Sequence, residues 1–204
     1  MPGGIDQPQP FVADEKSVVT PDPNYIKSAE VTSKSPETIK YTLNDKAKWS
    51  DGSPITWKDY KVQADALSGK NSKFQIASST GYDRVKSVTR GASDYEFTVV
   101  FAKPFGEWKA LFSPLYPAKS QDTPEHFNTG YKNDFPLPAG PFKLQKNDKT
   151  AKTITVVKDP SWWGTPAKLD KVVYRALEIE AGINAFVNGE VDVVDVGPDP
   201  SAYK

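Results

Sequence analysis

Lys48-Trp49-Ser50-Asp51-Gly52-Ser53-Pro54-Ile55-Thr56 sets a large aromatic, a turn signal and a helix start into one short run. Asp51-Gly52 is a strong turn pair, because glycine tolerates positive φ and aspartate hydrogen-bonds its own backbone. Pro54 lacks an N–H and discourages regular strand pairing at its position. Thr56, with Asp59 three residues on, resembles a capping box in which aspartate stands where glutamate is usual. Trp57, Tyr60, Ala64 and Leu67 then recur at helical spacing. The run predicts strand, tight turn and helix start. Trp49 is expected to be a core anchor beneath the turn; if exposed, the same indole would be a platform for ligand stacking.

Working outward, Ile39, Tyr41 and Leu43 alternate with polar residues as a half-buried strand does, and Ala29-Glu30-Val31-Thr32 is its expected hairpin partner across Ser33-Lys34-Ser35-Pro36. Val85 and Val88 open another extended segment, and Tyr95, Phe97, Val99 and Phe101 alternate as a further strand. Phe105 to Phe112 predicts a short helix with Trp108, Leu111 and Phe112 on one side. Residues 1–24, with Pro2, Pro8, Pro10, Pro21 and Pro23, read as an extended arm, and residues 113–138 as a long irregular connection. Beyond it, 141–144, 153–157 and 171–177 read as strands, and Asp159-Pro160-Ser161-Trp162-Trp163-Gly164 as a turn carrying two aromatics. Ile179, Ile183, Phe186 and Val187 form a helical stripe, closed by Gly189 at the position after the C-cap. Val191 to Val194 then predicts a strand and a βαβ unit, with ligands expected at the strand ends.

Composition excludes several classes. Lys plus Arg and Asp plus Glu balance at 26 each, which leaves no electrostatic footprint for nucleic acid or an anionic membrane. The chain has no cysteine and a single histidine, His126, so thiolate chemistry, a histidine-based metal site and a Ser-His-Asp arrangement are not expected. Asp45, Asp51 and Asp59 do not have calcium-loop spacing, and no nucleotide loop or nucleophile elbow is present. On a strand, Asp192 and Asp195 point to opposite faces and make a poor carboxylate pair. Trp162-Trp163 could stack a sugar ring, or pack the turn against its sheet. The reading is a non-catalytic binding module with no cofactor and no metal.

Six stretches then line up in order with one family. KWSDGSPITWKDY (48–60), GYDRVKSV (81–88), DYEFTVVFAKPFGEWKALF (94–112), LPAGPFKLQK (137–146), VVKDPSWWGTPAKLDKVVYRAL (156–177) and AFVNGEVDVVDVGP (185–198) resemble the family 5 extracellular solute-binding proteins, the peptide-, dipeptide- and nickel-binding components of ABC importers. WWG replaces the family's common YWG, and AGP its GTGP. The resemblance implies an α/β (mixed α+β) fold of the periplasmic-binding-protein type II-like kind, with a β-rich accessory subdomain. It implies that residues 25–138 are that subdomain, that 139–204 belong to the main N-terminal lobe up to the hinge, and that the second lobe is absent. It implies capture of a peptide or similar small solute by hinge closure, permease subunits as partners, and an extracytoplasmic location with a lipid anchor outside this chain. The alternative is a regulatory or scaffold lipoprotein of the cell envelope with the same fold. Tyr82 and the Ala139-Gly140-Pro141 turn are the candidate ligand-facing residues. Trp49, Asp51, Gly52, Thr56, Trp108, Trp162, Trp163 and Gly189 are assigned structural roles.

Overall fold

The 48–56 run closes on itself in a computed structural model of the chain, which describes residues 7–132 and 137–197. Trp49 N–H donates to Ser53 O at 2.8 Å and Gly52 N–H to Trp49 O at 2.9 Å, with Gly52 at φ 84. That φ favours glycine, since a Cβ would be strained there. Asp51 accepts from Ser53 N–H at 3.0 Å and from Lys119 Nζ at 2.6 Å. Chiefly through Lys119, its carboxyl is held down at about 2. Thr56 caps helix α1 (Trp57–Leu67). Its Oγ1 accepts from Lys58 N–H at 3.3 Å, and Asp59 Oδ2 accepts from Thr56 N–H at 2.8 Å, so the capping box is complete. Asp59 Oδ1 also accepts from Ala118 N–H at 2.8 Å, which ties the start of α1 to a distant loop.

Strands β1 (Phe11–Ala13) and β2 (Val19–Pro21) form a small antiparallel hairpin. Strands β3 (Ile26–Lys34), β4 (Glu37–Leu43), β5 (Val85–Arg90) and β6 (Glu96–Phe101) form an antiparallel sheet in the order β3-β4-β6-β5. Alternation decides its inner face. Ile39 pairs with Val99 and Tyr41 with Phe97, all four fully buried. The Tyr41 and Phe97 rings stack at 4.6 Å, and Tyr60 of α1 lies 4.7 Å from Phe97 and 5.1 Å from Phe112. At roughly 1.5–3 kcal/mol for each fully buried large apolar side chain, this aromatic cluster is the main stabilising element of its unit. Trp49, 2% exposed, and Trp108, 8% exposed, join the same core.

Two compact units divide the chain. One comprises residues 1–143 with 158–168, the other 144–157 with 169–204. In the first, α2 (Pro124–Thr129) starts with Thr123 Oγ1 accepting from His126 N–H and Pro124 in its first turn. Strands β7 (Phe142–Asp148), β8 (Thr153–Lys158) and β9 (Lys171–Arg175) make a three-stranded sheet in that order, with β8 and β9 antiparallel. Helix α3 (Ile179–Val187) follows, and Gly189, at φ 70, donates its N–H to Phe186 O. No helix among the described residues is long and apolar enough to cross a membrane.

Several local expectations are corrected. Residues 7–24, read as part of an extended arm, carry the β1–β2 hairpin, and Phe11 is buried against Trp108 at 5.6 Å. The 105–112 helix shrinks to one 3-10 turn at Trp108–Ala110: Leu111 is already extended, with ψ 155, and Phe112 takes φ 65. The connection after residue 113 is not irregular throughout: it holds a 3-10 turn at Ala118–Ser120 and α2. Residues 133–136 lie outside the described part of that connection. No strand forms at 191–194, so β9 and α3 are not part of a βαβ unit within the described residues. The apolar stripe on α3 is turned largely outward, with Ile179 62%, Phe186 48% and Val187 76% exposed, while Gly182 and Ala185 are buried.

Candidate functional site

A cavity of about 510 Å³ opens in the first unit between α1, the 3-10 turns at Tyr82–Arg84 and Trp108–Ala110, and the 113–131 segment. Its size falls within the roughly 300–1,000 Å³ of small-molecule sites. Tyr82, Phe105, Tyr116, Phe127 and Tyr131 give part of its wall as aromatic rings, and Glu107 is its one carboxylate.

Gln63 frames the cavity. It sits on the inner face of α1 and is 2% exposed. Its Nε2 donates to Pro114 O at 3.0 Å and to Tyr82 Oη at 3.2 Å. Its Oε1 accepts from Tyr116 N–H at 3.0 Å and from Gln121 Nε2 at 3.1 Å. One side chain thereby joins α1 to the turn at Tyr82 and to the 114–121 segment. Tyr82 Oη also accepts from Phe112 N–H at 2.6 Å, which holds Phe112 in its left-handed conformation. Burial pushes the Tyr82 phenol up, against the pull of those two donors, so it stays protonated at neutral pH. Gln63→Leu leaves Pro114 O and Tyr116 N–H without partners, at about 1–3 kcal/mol for each buried group. The expected loss is about 2–6 kcal/mol, read as a lower midpoint in denaturant unfolding; an unchanged midpoint would mean that the frame carries no stability.

Of the candidate ligand-facing residues, Tyr82 lines the cavity, whereas Ala139, Gly140 and Pro141 do not. Ala139 is 3% exposed and its carbonyl accepts from Tyr25 Oη at 2.7 Å, while Pro141 O accepts from Asp159 N–H at 2.9 Å. Trp162 and Trp163 are half-buried against Tyr25, 4.2 Å apart. Their indole N–H groups donate to Thr165 O at 3.0 Å and Asn24 O at 2.8 Å. Both indole donors are engaged and the pair packs against Tyr25 at the edge of the core, as the packing alternative expects. Gln63 and Gln121 were not singled out in the sequence. The available signal was a polar residue at position 63 amid the apolar stripe of Tyr60, Ala64 and Leu67.

No cluster of metal-ligating side chains occurs among the described residues. Asp192 and Asp195 are exposed in irregular chain. His126 sits on α2 with its Nδ1 2.6 Å from Asp122 Oδ1. The hydrogen bond and charge of Asp122 raise its pKa above the usual 6.5. The pairing adds stability that is fully present below pH 6.5 and is lost as pH rises through the folded value. Because His126 is the only histidine, its ring proton signal can be followed without assignment. Titration is expected above 6.5, and Asp122→Asn should return it there; equal midpoints in the two proteins would exclude the pair in solution.

Comparison with known proteins identifies the class to which this fold belongs. The model of the bacterial extracellular solute-binding proteins, family 5 Middle, matches residues 20–204. The oligopeptide-binding protein OppA of Mycobacterium tuberculosis is 43% identical over 194 residues, covering 93% of this chain and 33% of OppA. LpqW of the same organism, named a probable monoacyl phosphatidylinositol tetramannoside-binding protein, is 27% identical over 89% of this chain and 28% of its own length. The solved structure of the periplasmic EDTA-binding protein EppA superposes with a TM-score of 0.83 at 29% identity, covering 91% of this chain and 36% of EppA. The fold is the periplasmic-binding-protein type II-like one. The chain belongs to family 5 of the bacterial extracellular solute-binding proteins. It spans about a third of the length of the relatives it matches.

Proposed function

We propose that the chain is the N-terminal part of an extracytoplasmic protein that captures an oligopeptide, or a similar small solute, and hands it to the permease subunits of an ABC importer. The observation that carries this reading is the likeness, along nearly the whole chain, to a protein named for oligopeptide binding. Residues 25–138 act as the accessory subdomain of the first lobe and 139–204 as the part of the main lobe that runs to the hinge. Capture is two-lobe closure without covalent chemistry. Tyr82, which lines the cavity, offers a ring and a phenol to the solute. No cofactor is required. The natural protein works at the cell surface or in the periplasm, held by a lipid anchor.

A second reading has one observation in its favour: LpqW, with similar coverage, is named for a glycolipid rather than a peptide. In that reading the protein is a regulatory or scaffold lipoprotein of the envelope. Deleting the gene from the host separates the two. Transport predicts that uptake of a labelled oligopeptide falls to background and returns on complementation. Normal uptake together with an altered envelope would favour the second reading.

A further inference from the structure

We propose that the cavity framed by Gln63 receives a protonated nitrogen on an apolar stem, as a basic peptide side chain or terminal amine presents. The proposal rests on the reading that this chain holds solute, and adds the chemistry of the group that the cavity selects.

Hydrogen bonding fixes the polar groups on offer. Pro114 O can only accept and Tyr116 N–H can only donate, so the orientation of the Gln63 carboxamide is settled. Gln121 Nε2 must then donate to Gln63 Oε1 at 3.1 Å and to Tyr116 O at 3.3 Å, which occupies both of its protons. Gln121 is only 4% exposed, lines the cavity, and keeps its Oε1 without a partner among the described residues. That oxygen opens to solvent in the cavity, where a ligand N–H can take the place of water. The Tyr82 phenol accepts two hydrogen bonds and keeps its proton for an acceptor on the ligand, such as a peptide carbonyl.

Charge points the same way. Glu107 is exposed at the lining, and no Lys, Arg or His is among the lining residues. A carboxylate ligand would meet Glu107 and no cation among the lining residues, the Arg84 guanidinium being engaged over the Phe105 ring at 5.5 Å and with Pro104 O, which disfavours it. A cation meets Glu107, the free carboxamide oxygen and aromatic walls that attract positive charge.

The test uses the 204-residue chain and three probes of similar size: benzylamine, benzyl alcohol and phenylacetate, titrated by ligand-observed NMR. Benzylamine should bind at least about tenfold more tightly than phenylacetate, with benzyl alcohol between. Gln121→Leu and Glu107→Gln should each erase most of that preference. Because Gln121→Leu also removes structural hydrogen bonds, Ala110→Trp provides a second variant. It obstructs the cavity from an exposed lining position without touching the glutamine network, and should abolish binding of all three probes. Phenylacetate binding as tightly as benzylamine, no measurable benzylamine binding, or unchanged binding in Ala110→Trp would each overturn the proposal. Failure of the transport reading is seen separately: oligopeptide uptake would not depend on the gene, whatever the probes do.

Discussion

Trp49→Ala is expected to cost about 3–5 kcal/mol, since truncating a buried tryptophan forfeits both transfer energy and packing. Trp49 is 2% exposed, belongs to the core that includes Tyr41 and Phe97, and sits beneath the turn that its own N–H closes on Ser53. For a chain of this size each kcal/mol lowers the melting temperature by roughly 2–4 °C, so a fall of roughly 6–20 °C is predicted. Solute selectivity should be unaffected. An unchanged melting temperature would place the indole at the surface and revive a ligand-stacking role.

The second large effect concerns affinity. The 204-residue chain alone should bind oligopeptide several decades more weakly than the natural protein that carries it. Binding sites typically enclose most of a ligand's surface, and in the proposed mechanism much of that enclosure comes from a lobe beyond this chain. Each factor of ten is only about 1.4 kcal/mol, so losing one wall is amply sufficient. Calorimetry on both proteins with one peptide decides this. Equal affinities would mean that the binding site is complete within residues 1–204 and that the two-lobe mechanism is wrong.

What was legible in the sequence was local. The Asp51-Gly52 turn and the Thr56–Asp59 capping box need only residues a few positions apart, and both form. The alternation of Ile39, Tyr41 and Leu43, and of Phe97, Val99 and Phe101, fixed which face each strand buries because a strand's period of two permits nothing else. Elements that depend on a partner were harder to read. Val191 to Val194 has strand composition but no described neighbour to pair with, and the α3 stripe faces outward although its spacing is helical. Pro8 and Pro10 disguised residues 7–24 as an arm, although Phe11 finds a place in the core. The cavity was the least legible feature, since positions 63, 82, 114 and 121 converge only once the sheet and α1 have packed. Tyr82 was reachable from the family resemblance; the free acceptor on Gln121 required the geometry.

Capture without chemistry can be tested on the natural protein itself. The natural protein is incubated with a defined oligopeptide mixture, separated from unbound material, and the retained peptides are released and weighed by mass spectrometry. Intact peptides are expected, close to one per protein and enriched in basic residues. Recovery of cleaved peptides, or of none, would contradict capture without chemistry.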